Sequence, residues 1–144
     1  MRPVQILLVE DSPDDILLTE EALRDAKFAN ELSSVMDGEA ALEYLRGVGE
    51  FADRTPPDLI ILDLNLPKKD GREVLREIKQ DDSLKLIPVI VLSTSGAAED
   101  ILEAYGLHVN AYVQKPVDFD DFIRAVRSIE DFWLSIVRLP SRPG

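Results

Sequence analysis

Several apolar runs in this chain stop at residues able to do chemistry. Ile6-Leu7-Leu8-Val9 stops at Glu10 and Asp11, and Leu59-Ile60-Ile61-Leu62 stops at Asp63. Val89-Ile90-Val91-Leu92 stops at Ser93 and Thr94, and the shorter Ala111-Tyr112-Val113 runs through Gln114 to Lys115. Clustered carboxylates repel one another and stay ionised together only with a cation between them. Oxygen donors with no His or Cys nearby point to Mg²⁺, held by carboxylates, water and a phosphate. A lysine and a hydroxyl opposite supply a point charge and a hydrogen-bond donor for a phosphoryl group. The implied chemistry is Mg²⁺-assisted phosphoryl transfer to a carboxylate, with Asp63 as nucleophile. Taken singly, each is an ordinary strand-end residue meeting water. What sets them apart is that they recur together on otherwise apolar strands.

Such a set converges only if the strands run parallel, because then their carboxyl ends share one edge. The chain supports that arrangement. Strands are predicted over Gln5–Val9, Asn30–Met36, Leu59–Leu62, Val89–Leu92 and Ala111–Val113, the last less apolar and suited to an edge. Helices alternate with them. The first starts at Ser12-Pro13, with Asp14 and Asp15 suiting its positive end, and runs to about Lys27. The second, around Ala40–Leu45, stops near Gly47 and Gly49, and Phe51–Pro57 is a loop. The third spans Arg72–Gln80 and the fourth Ala97–Tyr105. The last is capped by Asp118 and runs from Phe119 to about Arg138 before a frayed tail. Strict β-α alternation implies an α/β fold: a five-stranded parallel sheet with helices on both faces.

The 144 residues suit one domain, with no composition shift to mark a second, so 1–144 is read as a single unit with a long C-terminal helix. A net charge of -12 repels phosphate backbones and anionic lipid, which argues against nucleic acid or membrane as partner. There is no cysteine, and the apolar run behind Met1 is too short for a signal peptide or a span. A cytoplasmic protein is expected. His108, the only histidine, is read as a solvated loop residue.

Glu10-Asp11, Asp63 with Leu64-Asn65-Leu66-Pro67 and Gly71, Ser93-Thr94 and Lys115-Pro116 together resemble the receiver domain of two-component response regulators, from Val4 to about Ser128. The resemblance brings the family's flavodoxin-like strand order, 2-1-3-4-5. It implies that Asp63 is the phosphoacceptor. Asp11, Asp63 and the main-chain carbonyl of Asn65 are implied Mg²⁺ ligands, with Glu10 reaching the metal through water. Ser93 resembles the switch hydroxyl. Thr94 adjoins it, and the count from Pro88 favours Ser93. Tyr112 resembles the switch aromatic, Lys115 the phosphate-binding lysine and Pro116 the family's cis-linked proline. Lys68-Lys69-Asp70-Gly71-Arg72-Glu73-Val74-Leu75, Val117-Asp118-Phe119 and Ser128-Ile129-Glu130-Asp131-Phe132-Trp133 are similar to the single-domain regulators paired with bacterial phytochrome kinases.

The expected function is therefore a phosphoprotein switch in a two-component phosphorelay. A sensor histidine kinase supplies the phosphoryl group, Asp63 takes it, and the readout is protein–protein contact rather than enzymatic turnover. The competing reading, a metal-dependent phosphohydrolase with an aspartyl nucleophile, wants a second carboxylate two residues on, where this chain has Asn65, and a substrate cap for which no loop is long enough. A homodimer is also expected. Phe122, Ile123, Val126 and Ile129 give the last helix the one stripe a sheet covers, whereas Phe132, Trp133, Leu134, Ile136, Val137 and Leu139 make it apolar nearly all round. Tyr112, Phe132, Trp133, Ile136 and Val137 are the expected interface residues.

Overall fold

The computed structural model describes residues 3–26, 28–94 and 96–135. Its elements run β1 (Val4–Val9), α1 (Pro13–Arg24), β2 (Asn30–Val35), α2 (Gly38–Arg46), β3 (Leu59–Leu62), α3 (Gly71–Gln80), β4 (Val89–Ser93), α4 (Ala98–Gly106), β5 (Ala111–Gln114) and α5 (Phe119–Ser135). The five strands form one sheet in the order β2-β1-β3-β4-β5, every pair parallel. The apolar runs that marked β1, β3 and β4 lie in its middle, and residues 59–62 and 89–91 are wholly shielded from solvent.

Alternation along the central strands builds two cores. Leu7, Val9, Ile60, Leu62, Val89 and Val91 face α2, α3 and α4. Ile6, Leu8, Leu59, Ile61, Ile90 and Leu92 face α1 and α5, where Phe122, Val126 and Ile129 supply the stripe expected of the last helix. Burying each such side chain is worth about 1.5–3 kcal/mol. That is why the register is firm: a one-residue slip in a strand would exchange its two faces.

Polar side chains close the helix ends. Ser12 Oγ accepts from the Asp15 amide at 3.3 Å, Asp37 Oδ1 from Ala40 at 2.8 Å, Asp70 Oδ2 from Arg72 at 3.1 Å and Asp118 Oδ1 from Asp121 at 3.2 Å. At the amino edge of the sheet, Asp58 Oδ2 and Asn110 Oδ1 accept from the backbone amides of Gln5 and Val89, both at 2.9 Å. The polar residues there serve the backbone.

Several boundaries differ from expectation. α1 ends at Arg24, where the Asn30 side-chain amide Nδ2 donates to the Leu23 carbonyl at 2.9 Å and captures an open helix end. The expected end at Lys27 lies outside the described residues. Met36 is exposed beyond β2. Gly49–Phe51 forms a 3₁₀ turn rather than plain loop, with Phe51 edge-on to Tyr44 at 5.3 Å. Gly106 closes α4 instead of stopping it, and the left-handed turn falls at His108. The last helix continues through Ser135; its expected end near Arg138 lies outside the described residues. No helix in the described region is long and apolar enough to cross a membrane.

Candidate functional site

The strand register brings the chemistry together. Val9 lies opposite Leu62, and the Asp63 amide donates to the Val9 carbonyl at 3.0 Å, so Glu10 and Asp63 emerge side by side. Ser93 pairs with Gln114, and the Lys115 amide donates to the Ser93 carbonyl at 2.7 Å. The order of strands reverses between β1 and β3, and the crevice opens there.

Glu10, Asp11 and Asp63 each offer a carboxylate oxygen within 4.8 Å of the others. Glu10 and Asp63 are 1 % and 5 % exposed, while Asp11 stands open to solvent. Lys115, 7 % exposed, donates from Nζ to Glu10 Oε1, to Asp63 Oδ2 at 3.0 Å and to Asp15 Oδ2 at 2.9 Å. The second oxygens are also held. Glu10 Oε2 accepts from the Ser12 amide at 3.1 Å, and Asp63 Oδ1 from the Asn65 amide at 3.1 Å. Burial pushes the Glu10 carboxyl up to about 7, with the Asp63 charge adding to it and the Lys115 bond opposing. Burial also works against the Lys115 ammonium, but its bonds to Glu10 and Asp15 and the charge of Asp63 prevail, so its pKa rises and it stays protonated.

One ammonium cannot neutralise this set. The donors are all oxygens, which fits a hard divalent cation of the Mg²⁺ type, and Glu10, Asp11 and Asp63 are placed to hold it. Such a cation supplies charge neutralisation for an incoming phosphoryl group.

The loop after β3 is shaped by its neighbours. The Gly71 amide donates to the Leu64 carbonyl at 2.9 Å, and Lys68 takes a positive φ of 65°. Lys68 Nζ lies 3.6 Å from Asp37 Oδ2, and Lys69 pairs with Glu77 at 2.6 Å, so Lys68-Lys69 tie the loop to α2 and α3.

Ser93 is fully buried within β4, whereas Thr94 is exposed just beyond it. Asn65 is exposed at the mouth of the site. Tyr112 is half-buried against the core on the α4 side of β5. The cis linkage expected at Pro116 is corrected: no cis peptide bond occurs among the described residues. Trans is the intrinsically favoured form by about 0.5–1 kcal/mol, and Lys115 reaches Glu10, Asp63 and Asp15 from it. Asp15, read from the sequence as a helix-dipole residue, belongs to the site. Asp11 precedes the Ser12 cap and lies off the helix, so no helical spacing in the sequence pointed to Asp15.

A parallel 2-1-3-4-5 sheet whose carboxyl edge gathers an acidic triad around one lysine defines the receiver class of signalling domain. The response regulator receiver domain model matches residues 6–127, and the chain belongs to that family. The response regulator Rcp1 of Synechocystis sp. is 50% identical over 139 residues, which cover 96% of this chain and 95% of that protein. The crystal structure of the phosphorylated cyanobacterial phytochrome response regulator RcpA superposes with a TM-score of 0.92 at 52% identity, covering 97% of this chain and 100% of that one. The Mn²⁺-bound form of Rcp1 superposes with a TM-score of 0.91 at 50% identity, covering 96% of this chain and all of that one.

Proposed function

We propose that this response regulator accepts a phosphoryl group on Asp63 from the phosphohistidine of a sensor histidine kinase of the phytochrome type. An Asp63 carboxylate oxygen attacks phosphorus, the bond to the histidine nitrogen breaks, and the nitrogen keeps the electron pair. Asp11, Asp63 and the Asn65 carbonyl, with Glu10 through water, are the proposed Mg²⁺ ligands. Lys115 gives up its bond to Asp63 Oδ2 and donates to a phosphoryl oxygen instead. Ser93, with Thr94 beside it, follows the phosphoryl group as switch hydroxyl, and Tyr112 and Pro116 carry the change outward on β5 and its loop. The observation behind this reading is the position of Asp63 at the switch point, bonded to Lys115 and within 4.8 Å of Glu10 and Asp11. Phosphotransfer followed by intact mass, with and without Asp63, is the test.

The protein acts as a switch rather than a turnover enzyme, through contacts with other proteins in the cytoplasm and with no nucleic-acid or membrane partner. It pairs as a homodimer along α5. That helix continues to Ser135, six residues past Ile129, which is the last of its described side chains in the core of its own domain. The side chains of Phe132 and Trp133, and all of Ile136 and Val137, lie outside the described residues. Their role rests on the all-round apolar sequence and on Tyr112 at the sheet edge.

A further inference from the structure

Asp15 has an unusual local setting. It is the third residue of α1, and in a capping box an acid at this position reaches back to the amide of the capping residue. Here that amide, of Ser12, donates to Glu10 Oε2 at 3.1 Å instead. The Asp15 backbone is fixed on both sides: its amide donates to Ser12 Oγ at 3.3 Å, and its carbonyl accepts from Thr19 Oγ1 at 2.8 Å. The carboxylate is thereby left to point back over the end of β1, where Oδ2 meets Lys115 Nζ at 2.9 Å.

An ammonium has three donors, and Lys115 divides them among Glu10, Asp63 and Asp15. Glu10 and Asp63 belong to the acidic triad; Asp15 does not. A cation at the triad must therefore share two carboxylates with a positive charge already bonded to them, and like charges this close oppose one another. Among the described residues, Asp15 is the one partner that offers the ammonium a place outside the triad. Its side chain is 26% exposed, so an asparagine there keeps the shape and stays solvated.

We propose that Asp15 is a positioning residue: it draws the Lys115 ammonium to one side of the triad and so raises the affinity of the triad for a divalent cation. Asp14 is the internal control. It carries the same charge on the same turn, is exposed, and makes no bond to Lys115 among those of the described residues.

The inference rests on the metal site proposed above, and calorimetric titration of Mg²⁺ into the full chain at fixed pH and ionic strength separates the two. Asp15→Asn is expected to weaken binding roughly fivefold, within the range of coupled neighbours. Asp14→Asn should weaken it by less than about twofold, as a screened charge does. Lys115→Ala alone should tighten binding, and Asp15→Asn added to it should cost no more than Asp14→Asn. Equal losses for Asp15→Asn and Asp14→Asn would overturn the proposal, as would a full Asp15→Asn loss that persists without Lys115. No Mg²⁺ binding by the unsubstituted chain would overturn the metal site, and this assignment with it.

Discussion

Gly71 packs so tightly on Asp63 that a Cβ at position 71 would stand 2.4 Å from the Asp63 carbonyl oxygen and 2.5 Å from Leu64 Cα. Both obstacles are backbone, so neither can rotate away. Gly71→Ala must push the start of α3 off the end of β3, at a cost of about 1–3 kcal/mol. Denaturant unfolding is expected to show that loss, and phosphoryl uptake should slow, because the same shift moves Asp63. Unchanged stability would mean that α3 and β3 are less rigidly joined than their packing indicates.

The Glu10 carboxyl, held up to about 7 by burial, gives the metal-free protein a pH dependence. Its pKa is raised above the ordinary 4.5, so the folded state holds a proton that the unfolded state has lost. The stability it contributes is fully present below about 4.5 and fades as pH rises through about 7. Without metal, the thermal midpoint should therefore fall from pH 5.5 to pH 8, and Glu10→Gln should flatten that decline. A wild-type midpoint as flat as that of Glu10→Gln would count against the buried, proton-holding carboxyl.

Added Mg²⁺ should reverse the trend, since it offsets the repulsion among Glu10, Asp11 and Asp63. At a hundredfold excess over Kd, the midpoint is expected to rise by roughly 5–10 °C. Asp11→Ala should abolish the rise. If the rise survives that substitution, the triad is not where the metal binds.

Much of this was legible in advance, for a physical reason. A run such as Leu59–Leu62 has no stable place except between two apolar layers, so its burial, and Asp63 at its end, follow from residue types alone. The amphipathic face of α3, with Val74, Leu75 and Ile78 fully buried, follows in the same way. Asp15 was harder to see. An acid in a first helical turn is explained by the dipole without further help, and only the register of β5 against β4 shows that Lys115 comes within reach of it. Arg54 was equally hidden. It donates to the carbonyls of Tyr44 and Leu45 at 2.8 and 3.0 Å across a loop whose course no periodicity reveals.

Lys115→Ala should leave phosphorylation possible but disconnect it from the surface. In the unphosphorylated state the lysine is saturated by carboxylates. Its proposed role begins when a phosphoryl group needs a point charge. Amide chemical shifts on β5 and the start of α5, compared before and after phosphorylation, report this. Large shifts in wild type and small ones in Lys115→Ala are expected. Equal shifts in both would remove Lys115 from the switch.

The proposed pairing along α5 is tested by Trp133→Ala in sedimentation: if the chain forms a micromolar dimer there, the substitution is expected to leave a monomer, because a large aromatic in such an interface would carry about 2 kcal/mol or more. A dimer indifferent to that change and to removal of the residues after Glu130 would place the contact elsewhere.

The central claim is that Asp63 carries the phosphoryl group. Asp63→Asn is near-isosteric and removes only the nucleophile, so the fold should survive with its β3 packing intact. Incubation with a phosphorylated histidine kinase and Mg²⁺, followed by intact mass, is the direct measurement. Wild type is expected to gain one phosphoryl group and Asp63→Asn none. A phosphoryl adduct of equal yield on the folded Asp63→Asn protein would contradict the account and assign the acceptor to another residue.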